Sequence, residues 1–208
     1  MNDFWHDPNA SRHAVGPANP VLAETTRGGR VESHHRGRVV VVAAGGAPVA
    51  ALGDVDEPVF PRSAIKFIQA LPLVETGAAD DHGVTPAELA LACASHSGEP
   101  LHTMAVEAWL ARLGLGEADL ECGPHEPVHS ATAAELSRAG RVPDRRHNNC
   151  SGKHTGFLTV ARRLGVPTAG YSRSEHPVQR RVAAAIRDLT DCDPDAAPVG
   201  IDGCGVPT

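Results

Sequence analysis

The spacing of apolar residues along the chain changes near residue 61. Before that point, short β-branched and apolar runs are separated by paired glycines. Residues 38–44 and 48–52 flank Gly45-Gly46, which is the pattern of an antiparallel hairpin, and residues 21–26 predict another short strand. After residue 61, apolar residues recur mostly at helical spacing. A hairpin followed by a succession of helices predicts an α+β protein, with an antiparallel sheet and flanking helices.

The clearest helix start is Thr85-Pro86-Ala87-Glu88, which offers a capping hydroxyl, a proline at the first position and a carboxylate at the capping-box position. Proline or capping residues and glycine likewise bound the other segments. The helices predicted in this way span residues 63–71, 85–94, 100–113, 131–139, 155–164 and 176–189.

Charge and hydropathy exclude several classes of function. The net charge of -6 leaves no excess of basic residues for phosphates, which argues against a nucleic-acid partner. The longest apolar run, residues 39–44, is too short to cross a bilayer, so no membrane partner is expected. Residues 1–20 lack a secretory signal and predict a flexible N-terminal arm on a cytoplasmic protein. Five cysteines, an odd number, match no disulfide scaffold.

Lysine is rare in this chain. Of 19 basic residues only Lys66 and Lys153 are lysine, and each follows a nucleophilic side chain, Ser63 or Cys150, by three residues. Arginine stays protonated, whereas a buried lysine can lose its proton and act as a base or a ligand. The coincidence makes chance a weak explanation and points to two functional lysines.

The first constellation is Ser63-Ala-Ile-Lys66. A serine hydroxyl needs a base to become a nucleophile, and side chains three residues apart share one face of a helix. Burial among Ile65, Phe67 and Ile68 would favour an uncharged amine at Lys66. The same tetrad also occurs by chance in many helices.

Three further segments gather polar groups. Ser95 lies in a cluster at the end of an apolar helix, where local capping is the alternative to proton transfer. Cys150 is a candidate nucleophile, with His147 or His154 as its base, or a metal ligand. Residues 200–208 place Asp202 and Cys204 among glycines, which suits either a loop of the functional site or a structural turn.

Four segments, PRSAIKFIQ, CASHSGE, HNNCSGKHTGF and GIDGCGVPT, resemble in order and spacing the class 3, or rhizobial-type, L-asparaginases. The resemblance covers the chain from about residue 21. It implies a fold similar to serine β-lactamases and serine glutaminases, hydrolysis of L-asparagine to aspartate and ammonia, and a homodimer for the full-length protein.

The resemblance also implies roles for individual residues. Ser63 is expected to be the nucleophile paired with Lys66, and Ser95 to join a second serine–lysine pair. Cys150, Lys153 and Cys204 match zinc ligands. Arg62, His154 and Asp202 match positions around the substrate.

Family chains continue beyond position 208, and the lysine that partners Ser95 lies in that continuation. We therefore expect residues 21–208 to be the N-terminal two-thirds of a single asparaginase domain, truncated at the C-terminus and with an incomplete sheet. Two alternatives stay open. One is a zinc-binding remnant without catalysis, and the other is a glutaminase or β-lactamase relative, although the chain has no Ser-Asp-Asn motif.

Overall fold

A computed structural model describes residues 18–190 and 192–208, so most of the predicted arm, residues 1–20, lies outside the described residues. The chain divides into two compact units between Val59 and Phe60. Antiparallel strands and helices together confirm the predicted α+β class. That residues 21–208 belong to a single domain with a β-lactamase-like fold stays a prediction.

Two antiparallel hairpins make up the first unit. Strands β1 (Val21–Arg27) and β2 (Arg30–Arg36) form one, and β3 (Val39–Val42) and β4 (Pro48–Leu52) form the other. The second hairpin and β1 were predicted. The sequence of β2, RVESHHR, has no apolar alternation and gave no strand signal. Within the described residues, every buried apolar side chain belongs to the second unit.

The second unit is helical. Its predicted helix starts at residues 85, 100, 131 and 176 are confirmed to within about one residue. The helices are α1 (Lys66–Glu75), α2 (Ala78–Asp81), α3 (Pro86–Cys93), α4 (Pro100–Arg112), α5 (Ser130–Arg138), α6 (Ser151–Leu164) and α7 (Pro177–Thr190). No helix in residues 18–190 or 192–208 has the length and apolar character needed to span a bilayer.

Helix α6 forms the centre of this unit, and all residues from Ser151 to Ala161 are buried. It packs against α1, α3, α4 and α7. Two of its buried polar groups are satisfied within the helix, since the hydroxyls of Thr155 and Thr159 each donate to the carbonyl four residues earlier, at 2.8 Å. The helix begins four residues before the predicted start at 155, because the polar residues 151–154 are buried rather than part of a surface turn.

Close contact between α3 and α6 depends on Gly152. A Cβ atom at this position would lie 2.5 Å from the backbone oxygen of Leu91, a contact that only movement of a helix can relieve. At Gly156, one turn later, a Cβ would lie 3.0 Å from the flexible end of Leu73 and in ordinary contact with Ala92, at 3.6 Å.

We predict that Gly152→Ala destabilises the protein by about 2 kcal/mol or more, because the overpacking cost exceeds the gain in helix propensity. The measurement is thermal unfolding followed by circular dichroism. Gly156→Ala, in the same helix, serves as the control and should change the midpoint little. Equal midpoints for the two variants would contradict the close approach at Leu91.

Candidate active site

Ser63 is presented by a strained turn. A single 3₁₀ turn, Arg62–Ile65, follows the proline-containing loop and leads into α1. Among the described residues, Arg62 is the sole non-glycine with a positive φ, at 51°, a conformation that costs about 1–3 kcal/mol. Such strain is found mostly at functional sites. It leaves the Ser63 side chain exposed on the wall of a cavity.

Lys66 reaches Ser63 through a second hydroxyl. The Lys66 side chain is buried, and its Nζ donates to the Ala94 carbonyl at 2.8 Å and to Ser95 Oγ at 2.7 Å. Ser95 Oγ in turn donates to Ser63 Oγ at 3.0 Å. We expected direct pairing of Ser63 and Lys66 within one helix. Because Ser63 lies in the 3₁₀ turn before α1, Ser95 bridges the two instead.

Two cysteine thiols also line the cavity, Cys150 at the start of α6 and Cys204 in the loop of residues 200–208. The Cys204 thiol hydrogen-bonds to Cys150, and this bond, together with the charges of Lys153 and Lys66, lowers the pKa of Cys150 to about 6 although burial opposes the shift. The same bond raises the pKa of Cys204. These opposite pKa shifts favour the thiolate form at Cys150 over Cys204.

Asp202 orders the loop that carries Cys204. Its Oδ1 accepts the backbone N–H groups of Cys204 at 2.8 Å and Val206 at 3.0 Å, and its Oδ2 accepts from Lys153 Nζ at 3.0 Å. Burial opposes ionisation, but the Val206 N–H and Lys153 outweigh it and lower the pKa of Asp202. Asp202 is therefore an ionised carboxylate that ties this loop to α6.

These groups line one cavity of about 490 Å³, within the range of small-molecule sites. It is formed by residues from the 3₁₀ turn, α1, the start of α6 and the 200–208 loop. The residues that line it are Phe60, Arg62, Ser63, Lys66, Gln69, His125, Asn148, Asn149, Cys150, Lys153, Gly200, Ile201, Asp202, Gly203, Cys204 and Thr208.

Comparison with known proteins identifies the family. The sequence profile of L-asparaginase II matches residues 23–208, a range that includes every residue of the cavity. The chain belongs to the L-asparaginase II family. It is therefore an amidohydrolase enzyme that acts on asparagine. No curated protein matches the chain.

The cavity of this asparaginase II chain is lined by side chains of types that zinc accepts as ligands. Within the described part of the chain, no group of three or more histidine, cysteine, aspartate or glutamate side chains is arranged to hold a metal. The two hydrogen-bonded thiols of Cys150 and Cys204 are soft ligands that zinc prefers, and Lys153 Nζ opens on the same cavity. For Lys153 to be the third protein ligand, its amine would have to be neutral and no longer paired with Asp202.

Seven of the nine predicted site residues line the cavity, and Ser95 is bonded to two of them. His154 differs. Its ring is fully buried, and Nδ1 lies 2.7 Å from the Tyr171 hydroxyl rather than on the cavity. The pKa of His154 lies well below its ordinary value. Burial of the ring is the largest cause, and the charge of Lys153 is the second. Contact between His154 and substrate stays a prediction.

Several cavity residues in this asparaginase II chain were not predicted. Gln69 lies one helical turn beyond Lys66 on α1, so its spacing could have indicated it. Asn148 and Asn149 were interpreted as turn formers, and Asn148 does accept the Cys150 N–H at 2.9 Å. His125 comes from a loop with no sequence signal, and its position depends on the tertiary fold.

We predict that Cys150 reacts with iodoacetamide with a midpoint near pH 6. Thiolate is the reactive form, so the rate should rise as pH increases through this value and stay level above it. Mass spectrometry of metal-free protein measures the rate for each cysteine. Cys204→Ala removes the hydrogen bond and should move the midpoint upward. Cys93, whose pKa burial raises, is the internal control. An unchanged midpoint in Cys204→Ala would refute the assigned bond.

Proposed function

We propose that the protein hydrolyses L-asparagine to aspartate and ammonia with Ser63 as nucleophile and Lys66 as base, acting through Ser95. The observation that carries this proposal is the continuous chain of hydrogen bonds from Lys66 to Ser63 at the cavity wall. A buried amine linked to an exposed hydroxyl by one intervening hydroxyl is a short proton path, and serine requires such a base.

In the first half-reaction, Ser63 Oγ attacks the side-chain amide carbon of asparagine. Its proton passes to Ser95, and the Ser95 proton passes to Lys66. Ser95 Oγ thus loses one hydrogen and gains another, whereas Ser63 Oγ exchanges its hydrogen for the bond to the amide carbon. The Ser63 backbone N–H makes no hydrogen bond within the described residues, which leaves it free to stabilise the oxyanion.

Collapse of the tetrahedral species breaks the carbon–nitrogen bond. The proton returns from Lys66 through Ser95 to the leaving nitrogen, and ammonia departs. Water then attacks the ester on Ser63 with the same relay as base, and aspartate leaves as Ser63 regains its proton. The hydrogen bonds donate from Lys66 to Ser95 and from Ser95 to Ser63, which is the direction in which the proton would move in the return step.

Substrate recognition follows from the charges of the cavity. Free asparagine carries an α-carboxylate and an α-ammonium group. The Arg62 guanidinium suits the carboxylate, and the ionised Asp202 suits the ammonium group. His154, which the family resemblance assigns to the substrate, would act from behind the cavity wall by packing beside Lys153.

Zinc is proposed as a resident ion held by Cys150, Lys153 and Cys204. When bound, it would polarise a substrate oxygen and orient the substrate as a Lewis acid. The observed thiol pair and the neighbouring amine support this assignment. On the family resemblance we also propose a homodimer in the cytoplasm, and the five free cysteines fit a reducing compartment.

We predict that Ser63→Ala lowers the rate of ammonia release by at least about 10³-fold, because the nucleophile is lost. Ser95→Ala should lower kcat by about 10²–10⁴-fold through loss of proton transfer. Ser97→Ala is the matched control, since within residues 18–190 and 192–208 that hydroxyl bonds only to Glu99. L-glutamine and nitrocefin tested in parallel separate the glutaminase and β-lactamase alternatives. Full activity in Ser63→Ala would show that another residue is the nucleophile.

We predict about one zinc ion per chain, the number that a three-ligand protein site with one open position holds, measured by metal analysis after dialysis. Cys150→Ala and Cys204→Ala should each lose most of it, whereas Cys192→Ala, at an exposed cysteine, should retain it. Zinc bound without ammonia release by the parent chain would favour the non-catalytic remnant. Zinc retained when both thiols are replaced would refute the ligand assignment.

A further inference from the structure

His96 lies directly after Ser95, in the loop between α3 and α4, and the proposed reaction does not use it. Its side chain is 5% exposed. Its backbone N–H donates to the Asn149 carbonyl at 3.1 Å, and its ring Nε2 lies 2.8 Å from Ser151 Oγ. His96 therefore contacts the residues on both sides of Cys150 while it immediately follows the relay hydroxyl.

The hydrogen bonds of the ring determine its tautomer. The Ser151 hydroxyl has one hydrogen, which it donates to the Arg146 carbonyl at 2.9 Å, so Ser151 Oγ must accept from His96 Nε2–H. The Gly98 N–H donates to His96 Nδ1 at 3.2 Å. Both nitrogens are thus committed, one as a donor and one as an acceptor, which is the neutral Nε2–H form.

The segment that holds His96 cannot easily adjust. Gly98 has a φ of 77°, and a Cβ there would lie 3.0 Å from the His147 carbonyl oxygen and 3.1 Å from Pro127. A proton added at Nδ1 would face the Gly98 N–H directly. The loop therefore accommodates the imidazole in one protonation state.

The charged and titratable neighbours of His96 oppose its protonation from three elements. Burial is the largest cause, followed by His102 of α4, Lys66 of α1 and His147 of a second 3₁₀ turn, Arg145–His147, before α6. Together they lower the pKa of His96 to about 4. The His102 ring stacks on His96 with centroids 5.1 Å apart. The neutral form thus persists through the neutral pH range.

We infer that His96 is a positioning residue whose neutral Nε2–H imidazole, held between the Gly98 N–H and the Ser151 hydroxyl, keeps the Ser95 hydroxyl aligned with Ser63 and Lys66. The inference rests on the proposed relay. We call the two ring hydrogen bonds, to Ser151 and from Gly98, the His96 clamp. Loss of the clamp lets residues 94–98 shift relative to α6. A displacement of about 1 Å in a proton relay can reduce the rate about 10²-fold.

The first test is independent of turnover. In ¹⁵N spectra of histidine-labelled full-length chain, His96 should show the Nε2–H tautomer and no titration until the pH approaches its pKa of about 4. The Nδ1–H tautomer, or protonation near the ordinary histidine value of about 6.5, would overturn the inference.

The second test measures the reactivity of Ser63 with a fluorophosphonate, followed by mass spectrometry, beside kcat and KM for asparagine. His96→Leu should lower the labelling rate and kcat about 10²-fold with KM little changed and the same unfolding midpoint. His96→Gln keeps a donor for Ser151 and should recover activity to within about tenfold of the parent. His102→Leu removes the stacked ring but none of the clamp bonds and is the control.

The possible outcomes separate the two proposals. Parental Ser63 labelling in His96→Leu, or equal losses in His96→Leu and His102→Leu, would overturn the positioning role alone. Labelling that persists in Ser63→Ala would instead overturn the proposed nucleophile, whatever the His96 variants show.

Discussion

Burial of the first three turns of α6 is the constraint on which the site depends. A helix that begins inside a protein leaves backbone N–H groups without partners unless side chains supply them. Here Asn148 Oδ1 accepts the Cys150 N–H, and the positive end of the helix dipole favours negative charge at the same place. The thiolate of Cys150 therefore lies where the helix stabilises an anion. The close contact of α6 with α3 at Gly152 also positions Ser95, which follows α3, near Lys66 and Ser63.

The two amines of the cavity occupy different electrostatic surroundings. Lys153 is paired with the carboxylate of Asp202, 49 residues away in sequence. Lys66 donates to two neutral oxygens, Ala94 O and Ser95 Oγ, and its charge also lowers the pKa of Cys150. A fixed ion pair suits an amine that holds a loop or a metal in place, and hydroxyl partners suit an amine that exchanges a proton. In the proposed mechanism, Lys153 would anchor the loop or the metal, and Lys66 would transfer the proton.

Local chemistry was predictable from sequence and long-range contacts were not. The capping box at Thr85 and Glu88 is formed in both directions, as its spacing predicted. The expectation that Phe67 buries Lys66 was wrong, since Phe67 is 60% exposed. An all-apolar helix segment does not reveal which stripe faces the interior. The bridge through Ser95 depends on the packing of α1 against α3, and pattern reading carries no information on that contact.

The positions of the two lysines in the cavity offer an explanation for the scarcity of lysine in the chain. The chain uses arginine for its other 17 cationic positions, and its two lysines are both buried on the wall of the same cavity. Arginine at position 66 would place a permanently charged, planar group where the relay needs a base that can accept a proton. Arginine at position 153 could pair with Asp202 but could not present a lone pair to a metal. In the proposed mechanism, arginine could therefore replace neither lysine, because each role requires an amine that can lose a proton.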